Sequence, residues 1–241
     1  MGNTLINYMN RRVGDERKKS PSPNRMAGPV ITLSREVGCG GIAFASLLAE
    51  ELNKAVYCKK WQVVSKEVLH ASANELQVHP EKVHRVFSRE EHTTFDEILS
   101  AFSSKYYKSN RTITKTVREV IRNFACDGCC IIVGRAGHLI ADDIENALHV
   151  RLVAPIRWRV DSLMVRKKLE HADALKYIKE TDKERTIFRD HFRKNKHEEE
   201  RFDLVVDISR FEIAQVVKIV LAAFEARGIN ERLKKTIPHF G

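Results

Sequence analysis

Arg35-Glu36-Val37-Gly38-Cys39-Gly40-Gly41-Ile42 places a guanidinium, a thiol and three glycines in one short stretch. Glycine permits positive φ and leaves the backbone bare, so a ligand can approach it closely. A glycine turn that opens a helix presents free N–H groups to one point, an arrangement suited to a phosphate. The pattern G-x-x-x-x-G-K-[ST] can be laid on residues 35 to 42. Its second glycine falls on Gly40, its first on Arg35, its lysine on Gly41 and its hydroxyl residue on Ile42. The backbone cradle of Gly38, Cys39, Gly40, Gly41 and Ile42 is therefore retained, without the lysine charge or the magnesium-binding hydroxyl. The competing reading is a tight strand-to-helix turn that needs glycine for packing alone. Arg35 is the candidate replacement for the lysine, through bidentate binding; the alternative is a pair with Glu36. Cys39 sits where a helix N-terminus would favour its thiolate.

More arginines fall at positions where chemistry is expected. Arg135 follows Gly134 directly after the apolar run Cys129-Cys130-Ile131-Ile132-Val133, where a charged residue lies in the ligand crevice or in water at a helix start. Arg185, Arg189 and Arg193 share one helical face, with Asp182 one turn before the first. Lys183, Glu184, Asp190 and Lys194 around them allow a solvated, ion-paired helix as the alternative. Arg85 and Arg89 also share a face and are candidate contacts for a second phosphate. Cys126-x-x-Cys129-Cys130 has no second pair at zinc-ribbon spacing and reads as core cysteine, so no metal site is expected.

These residues need elements to position them. Val30, Ile31 and Leu33 form a strand, and Phe44, Leu47, Leu48 and Leu52 recur at helical spacing after the glycines. Ala55–Cys58 reads as a second strand and 60–73 as a helix, with Val63, Val64, Val68 and Leu69 on its apolar side. Ile113, Val117, Val120, Ile121 and Phe124 stripe another helix. Strands follow at 129–133, 148–153 and 203–207, and Pro155 opens a charged helical stretch over 156–196. Ser209 with Glu212 predicts a capping box for a last helix striped by Ile213, Val216, Val217, Val220, Leu221 and Phe224. Strands alternating with helices define an α/β class: a parallel sheet with helices on both faces.

The chain has 241 residues, 43% of them hydrophobic and 31% charged, as expected for a globular protein. No apolar run approaches the ~18 residues of a membrane span, so no membrane partner is expected. The net charge of +10 suits a polyanion or a phosphate-handling site with many arginines. Five cysteines without a secretion signal point to free thiols and a cytoplasmic location. Residues 1–28 read as a flexible basic arm, a solvated tail rather than a nucleic-acid binder, and 229–241 as a basic tail.

Ile31-Thr32-Leu33-Ser34-Arg35-Glu36 with Gly38-Cys39-Gly40-Gly41, Ile132-Val133-Gly134-Arg135, the strand ending Ala154-Pro155, Thr181-Asp182-Lys183-Glu184-Arg185 and Phe202–Val205 occur in an order that resembles the cytidylate kinase-like family. The resemblance covers about residues 29 to 227. It implies a P-loop nucleoside monophosphate kinase fold over 29–228, with a helical insertion at about 60–127 and a lid at about 172–200. It further implies ATP and Mg2+ as cofactors, and nucleotide substrates, with cytidylate first. In that frame Arg135 grips the acceptor phosphate, while Arg185 and Arg189 close from the lid. Two departures stand out: Ala136 replaces the aspartate of true cytidylate kinases, and Cys58-Lys59-Lys60-Trp61 replaces acidic residues after the second strand. The alternatives are a nucleotide-binding sensor without turnover and a basic polyanion binder using the two tails. A homo-oligomer is left open.

Overall fold

The structure, a computed structural model, describes residues 28–54, 60–65, 110–193 and 199–229. Its elements are β1 (Val30–Arg35), α1 (Gly41–Lys54), β2 (Gln62–Val64), α2 (Asn110–Asp127), β3 (Cys130–Val133), α3 (Gly137–Ile140), β4 (Ala147–Val153), α4 (Ile156–Lys167), α5 (His171–Asp190), β5 (Leu204–Asp207) and α6 (Ile213–Ala226). The five strands form one sheet in the order β2-β3-β1-β4-β5, with every pairing parallel. β1 is central: Val30 pairs with Cys130 on one side and Ala147 on the other.

Alternation along β1 explains why both sheet faces are covered. Val30 packs with the apolar stripe of α2 (Ile113, Val117, Val120, Ile121, Phe124) and with Ile140 of α3. Ile31 and Leu33 face the opposite layer, with Phe44, Leu48 and Leu52 of α1 and Val216, Val217, Val220 and Phe224 of α6. Each such buried side chain contributes roughly 1.5–3 kcal/mol. Thr32, a buried polar residue in this strand, is satisfied by a 2.7 Å hydrogen bond between its Oγ1 and His149 Nδ1. A third cluster joins Val160 and Leu163 of α4 to Ala174 and Ile178 of α5, with Val37 of the glycine turn packed among them.

Several local expectations are corrected. Gln62–Val64 is a strand paired with β3, not the start of a helix. Val63 and Val64 are β-branched, and so short an apolar run carries no decisive period. The stretch expected to be helical over 156–196 is two helices, α4 and α5, broken at Lys168, which takes φ 55°. The capping box of α6 is formed by Glu212 and Gln215. The Ser209 backbone N–H and hydroxyl instead donate to Asp207, at 3.0 and 2.7 Å. Ile213 and Leu47, expected in apolar stripes, are exposed. Cys129 is disulfide-bonded, whereas Cys39, Cys126 and Cys130 are free, so the expectation of free thiols fails at Cys129. No described helix is long and apolar enough to cross a membrane. The expected strand at Ala55–Cys58, Val68, Leu69, Arg85, Arg89 and both tails beyond Gly28 and Ile229 lie outside the described residues.

Candidate phosphate-binding site

Parallel sheets of this kind bind ligands outside the carboxyl ends of their strands. The carboxyl end of β1 delivers Arg35 and then the turn Glu36 to Gly40, which feeds α1. Gly38 and Gly40 take positive φ, of 99° and 62°. Gly38 also lies where a Cβ would approach Arg159 Cβ to 2.8 Å, so α4 packs directly on the turn. At the end of the neighbouring β3, Gly134, Arg135 and Ala136 are all left-handed, at φ 73°, 54° and 54°. Two consecutive non-glycine residues in that region are costly, and such strain concentrates where a side chain must be aimed.

Arg35 connects these two strand ends. Its side chain runs over Gly41, where a Cβ would lie 2.9 Å from its Cγ and 3.1 Å from its Cδ. Its guanidinium reaches Gly134, where a Cβ would collide with Nη1 and lie 3.1 Å from Cζ. Burial disfavours the charged form of Arg35, and the positive charges of Arg185 and Arg135 oppose it further. An arginine stays protonated at neutral pH, so this crowding concentrates positive charge at the strand ends. Asp182 offsets the crowding in part, but no carboxylate among the described residues lies within salt-bridge distance of Arg35.

α5 closes over this point. Arg185 donates through Nη1 to the Arg35 carbonyl at 3.0 Å, and burial likewise disfavours its charged form. One turn earlier, Asp182 accepts the Val37 backbone N–H at 3.1 Å and pairs with Arg159 at 2.7 Å. Glu36, adjacent to Arg35, accepts the Ala154 N–H at 3.1 Å and lies 3.5 Å from Arg159. Glu36 is thus committed to the end of β4 and to α4. From α4, the Ser162 hydroxyl donates to the Gly38 carbonyl at 3.0 Å, and Arg166 Nη2 donates to the same oxygen.

The other site candidates separate. Arg135 has its guanidinium 5.5 Å from the Phe188 ring of α5. Arg189 and Arg193 share a face with Arg185, yet they donate to Glu200 at 2.8 and 2.5 Å. Arg151 joins them at 3.3 Å, and His138 Nε2 lies 3.6 Å from the same carboxylate, which is only 8% exposed. Cys39 is buried, and its thiol is pushed up to about 12 by that burial and by Glu36, so the expected thiolate is absent. Ile42 is exposed on the first turn of α1 and offers the site its backbone. Among the described residues, no group of three or more His, Cys, Asp or Glu side chains is placed to hold a metal ion.

Sequence reasoning missed Glu36, Arg159, Ser162, Arg166 and Glu200 as shapers of this region. Arg159 and Arg166 lie in α4, where charged residues recur around the helix and do not separate a buried face from a solvated one. Glu200 follows α5 with no pattern that marks it as a shared counter-ion.

A central glycine turn in a five-stranded parallel sheet, with arginines at the strand ends, defines an α/β P-loop kinase fold. The chain belongs to the cytidylate kinase-like family, whose profile matches residues 30–210. No curated protein matches it. Among solved structures, it is similar to an uncharacterized protein from Eubacterium ventriosum, at 20% identity and TM-score 0.56, over 82% of this chain and 98% of the other. It is also similar to a gluconokinase from Sinorhizobium meliloti (14% identity, TM-score 0.44, 89% and 100% covered) and to shikimate kinase from Bacteroides thetaiotaomicron (11%, 0.44, 82% and 98%).

Proposed function

We propose that the chain is an ATP-dependent phosphotransferase of the nucleoside monophosphate type, acting in the cytoplasm, with cytidylate as the first acceptor to test. One observation carries this reading. The half-buried guanidinium of Arg35 lies between the glycine turn and the end of β3, crowded by Arg185 and Arg135 and with no salt-bridged carboxylate among the described residues. Such a charge cluster is complementary to phosphoryl oxygens, and phosphoryl transfer asks chiefly for positioning and charge stabilisation.

In this reading the backbone N–H groups of Gly38, Gly40, Gly41 and Ile42 hold the ATP phosphates, while that of Cys39 donates to the Glu36 carbonyl at 3.3 Å. Arg135 grips the acceptor phosphate. Arg185 acts on the charge that develops during transfer, joined by Arg189 a turn further along α5 once it exchanges Glu200 for phosphoryl oxygens. Arg85 is a further proposed acceptor contact. Magnesium would be carried by the phosphates and water, since position 42 is an isoleucine and no described acidic cluster is placed to hold a metal. ATP supplies the phosphoryl group; the chain's residues align donor and acceptor and exclude water.

A second reading, nucleotide binding without turnover, is favoured by one fact: Gly41 and Ile42 stand where the lysine and hydroxyl of a full P-loop would be. Calorimetric titration of ATP with and without magnesium, together with ADP release across nucleoside monophosphates, separates the two. The kinase reading expects ATP binding and an acceptor-dependent ADP signal. Arg135→Ala is expected to weaken acceptor use about 10- to 100-fold while sparing ATP binding, the equivalent of roughly 1.5–3 kcal/mol for a charged hydrogen-bond partner. Binding without turnover selects the second reading. No ATP binding under either condition ends both.

A further inference from the structure

We infer that Arg35 delivers, from the end of β1, the phosphate-binding charge that a lysine at position 41 would carry, and that the missing side chains at Gly41 and Gly134 are the condition for that delivery. The inference rests on the phosphate-site reading above and goes further: it treats three residues as one interdependent unit in place of a degenerate motif.

The geometry is direct. A lysine at the start of α1 would leave the backbone through the space that Arg35 Cγ and Cδ now fill, 2.9 and 3.1 Å from the Cβ position of Gly41. The far end of Arg35 then needs the space above Gly134, where a Cβ would collide with Nη1. The missing Cβ atoms at both glycines leave the space that one long side chain occupies, and at Gly134 the backbone, at φ 73°, favours glycine as well. The anchor of this charge also differs. A lysine at 41 would sit on the first turn of α1, whereas Arg35 is fixed by the central strand, pairing with Leu152 of β4. The Arg35 carbonyl is held by Arg185 as well. The guanidinium ends between the glycine turn and the β3 terminus, where a planar five-donor fork can serve two groups of oxygens.

The unit makes an unusual prediction: restoring the lysine should harm the site. Gly41 lies in a helix and does not need positive φ, so the backbone tolerates a side chain there, and the three atoms nearest to an added Cβ all belong to Arg35. Sodium tripolyphosphate serves as the probe because it tests the anion site without any contribution from a base. Its affinity is measured by calorimetry for wild type, Arg35→Ala, Gly41→Ala, Gly41→Lys and the double variant Arg35→Ala/Gly41→Lys. The apo melting temperatures of the same proteins are measured alongside. Expected are a loss of tenfold or more in Arg35→Ala, a loss in Gly41→Ala despite the gain of only a methyl group, and a loss in Gly41→Lys. The double variant is expected to bind within a few fold of wild type. In the apo proteins, Gly41→Lys should lower the melting temperature relative to wild type, whereas the double variant should melt no lower than Arg35→Ala.

Gly41→Lys binding as tightly as wild type, or a folded double variant as weak as Arg35→Ala, overturns the inference. Tripolyphosphate binding that follows the expected pattern, without ADP release for any nucleoside monophosphate, leaves the inference standing and removes the kinase reading instead.

Discussion

Glu200 gathers Arg151, Arg189, Arg193 and His138 onto a single carboxylate, at 3.3, 2.8, 2.5 and 3.6 Å. Burial raises its pKa, but the nearby His138 ring, the hydrogen bond from Arg193 and the charge of Arg189 outweigh that and hold it well below the usual carboxylate range. Glu200→Gln keeps the shape and removes the charge, and should cost about 1.5–3 kcal/mol in urea denaturation at pH 7. A depressed folded-state pKa stabilises above the unfolded value, about 4.3, and the contribution fades as pH falls towards the folded value. The gap between wild type and Glu200→Gln should therefore narrow below about pH 4; a gap that stays constant there would show that the charge is not its source. Cys39 supplies a second residue-scale test. Its thiol is 3% exposed and pushed up to about 12, so iodoacetamide at pH 8 should leave it unmodified in the native protein and label it after unfolding. Rapid native labelling at Cys39 in the peptide mass map would contradict the buried placement.

At the scale of elements, α4 ends on Lys168, an exposed residue in left-handed conformation (φ 55°). A side chain pays for that conformation where glycine does not. Lys168→Gly should raise unfolding free energy by about 0.5–1 kcal/mol without touching the glycine turn, as read from the urea midpoint. A lower midpoint would mean that the lysine side chain holds the corner. This break also shows what could be read from sequence. The stripe of α2 and the apolar runs of β1 and β3 were legible because burial of one helix face and of both strand faces forces them to be apolar. The corner at Lys168 was not, since no residue there announces a stop. The cap of α6 was misplaced because Asp207, three-dimensionally a better acceptor, captured Ser209 first. In the site, Arg35 and Gly41 could be matched to a motif, but the passage of one side chain over two glycines depends on β1 lying beside β3. The capture of Arg189 and Arg193 by Glu200 likewise depends on the fold.

At the scale of the whole molecule, β1 and β4 are joined across the sheet by Thr32 and His149. Burial lowers the pKa of His149, and Asp203 offsets this only in part. The sign follows from linkage: a histidine held neutral in the folded state supports stability above its unfolded value, about 6.5, and withdraws that support as pH falls towards the folded value. The melting temperature should therefore drop between pH 7 and pH 5, and His149→Gln should flatten that limb. An equally steep limb in the variant would assign it to other groups. The same bond has a consequence for biosynthesis. Its two residues are 117 positions apart, so the central strand leaves the ribosome long before either neighbour exists. At 5–20 residues per second, Val30, Ile31 and Leu33 wait roughly 5–20 s for the strands that flank them, with only α1 at hand before that. During that interval the nascent chain carries an apolar segment with neither flanking strand to pair with, and arrest of synthesis before β4 should yield a chaperone-bound, protease-sensitive product, with protection arriving only once residues through Val153 have emerged.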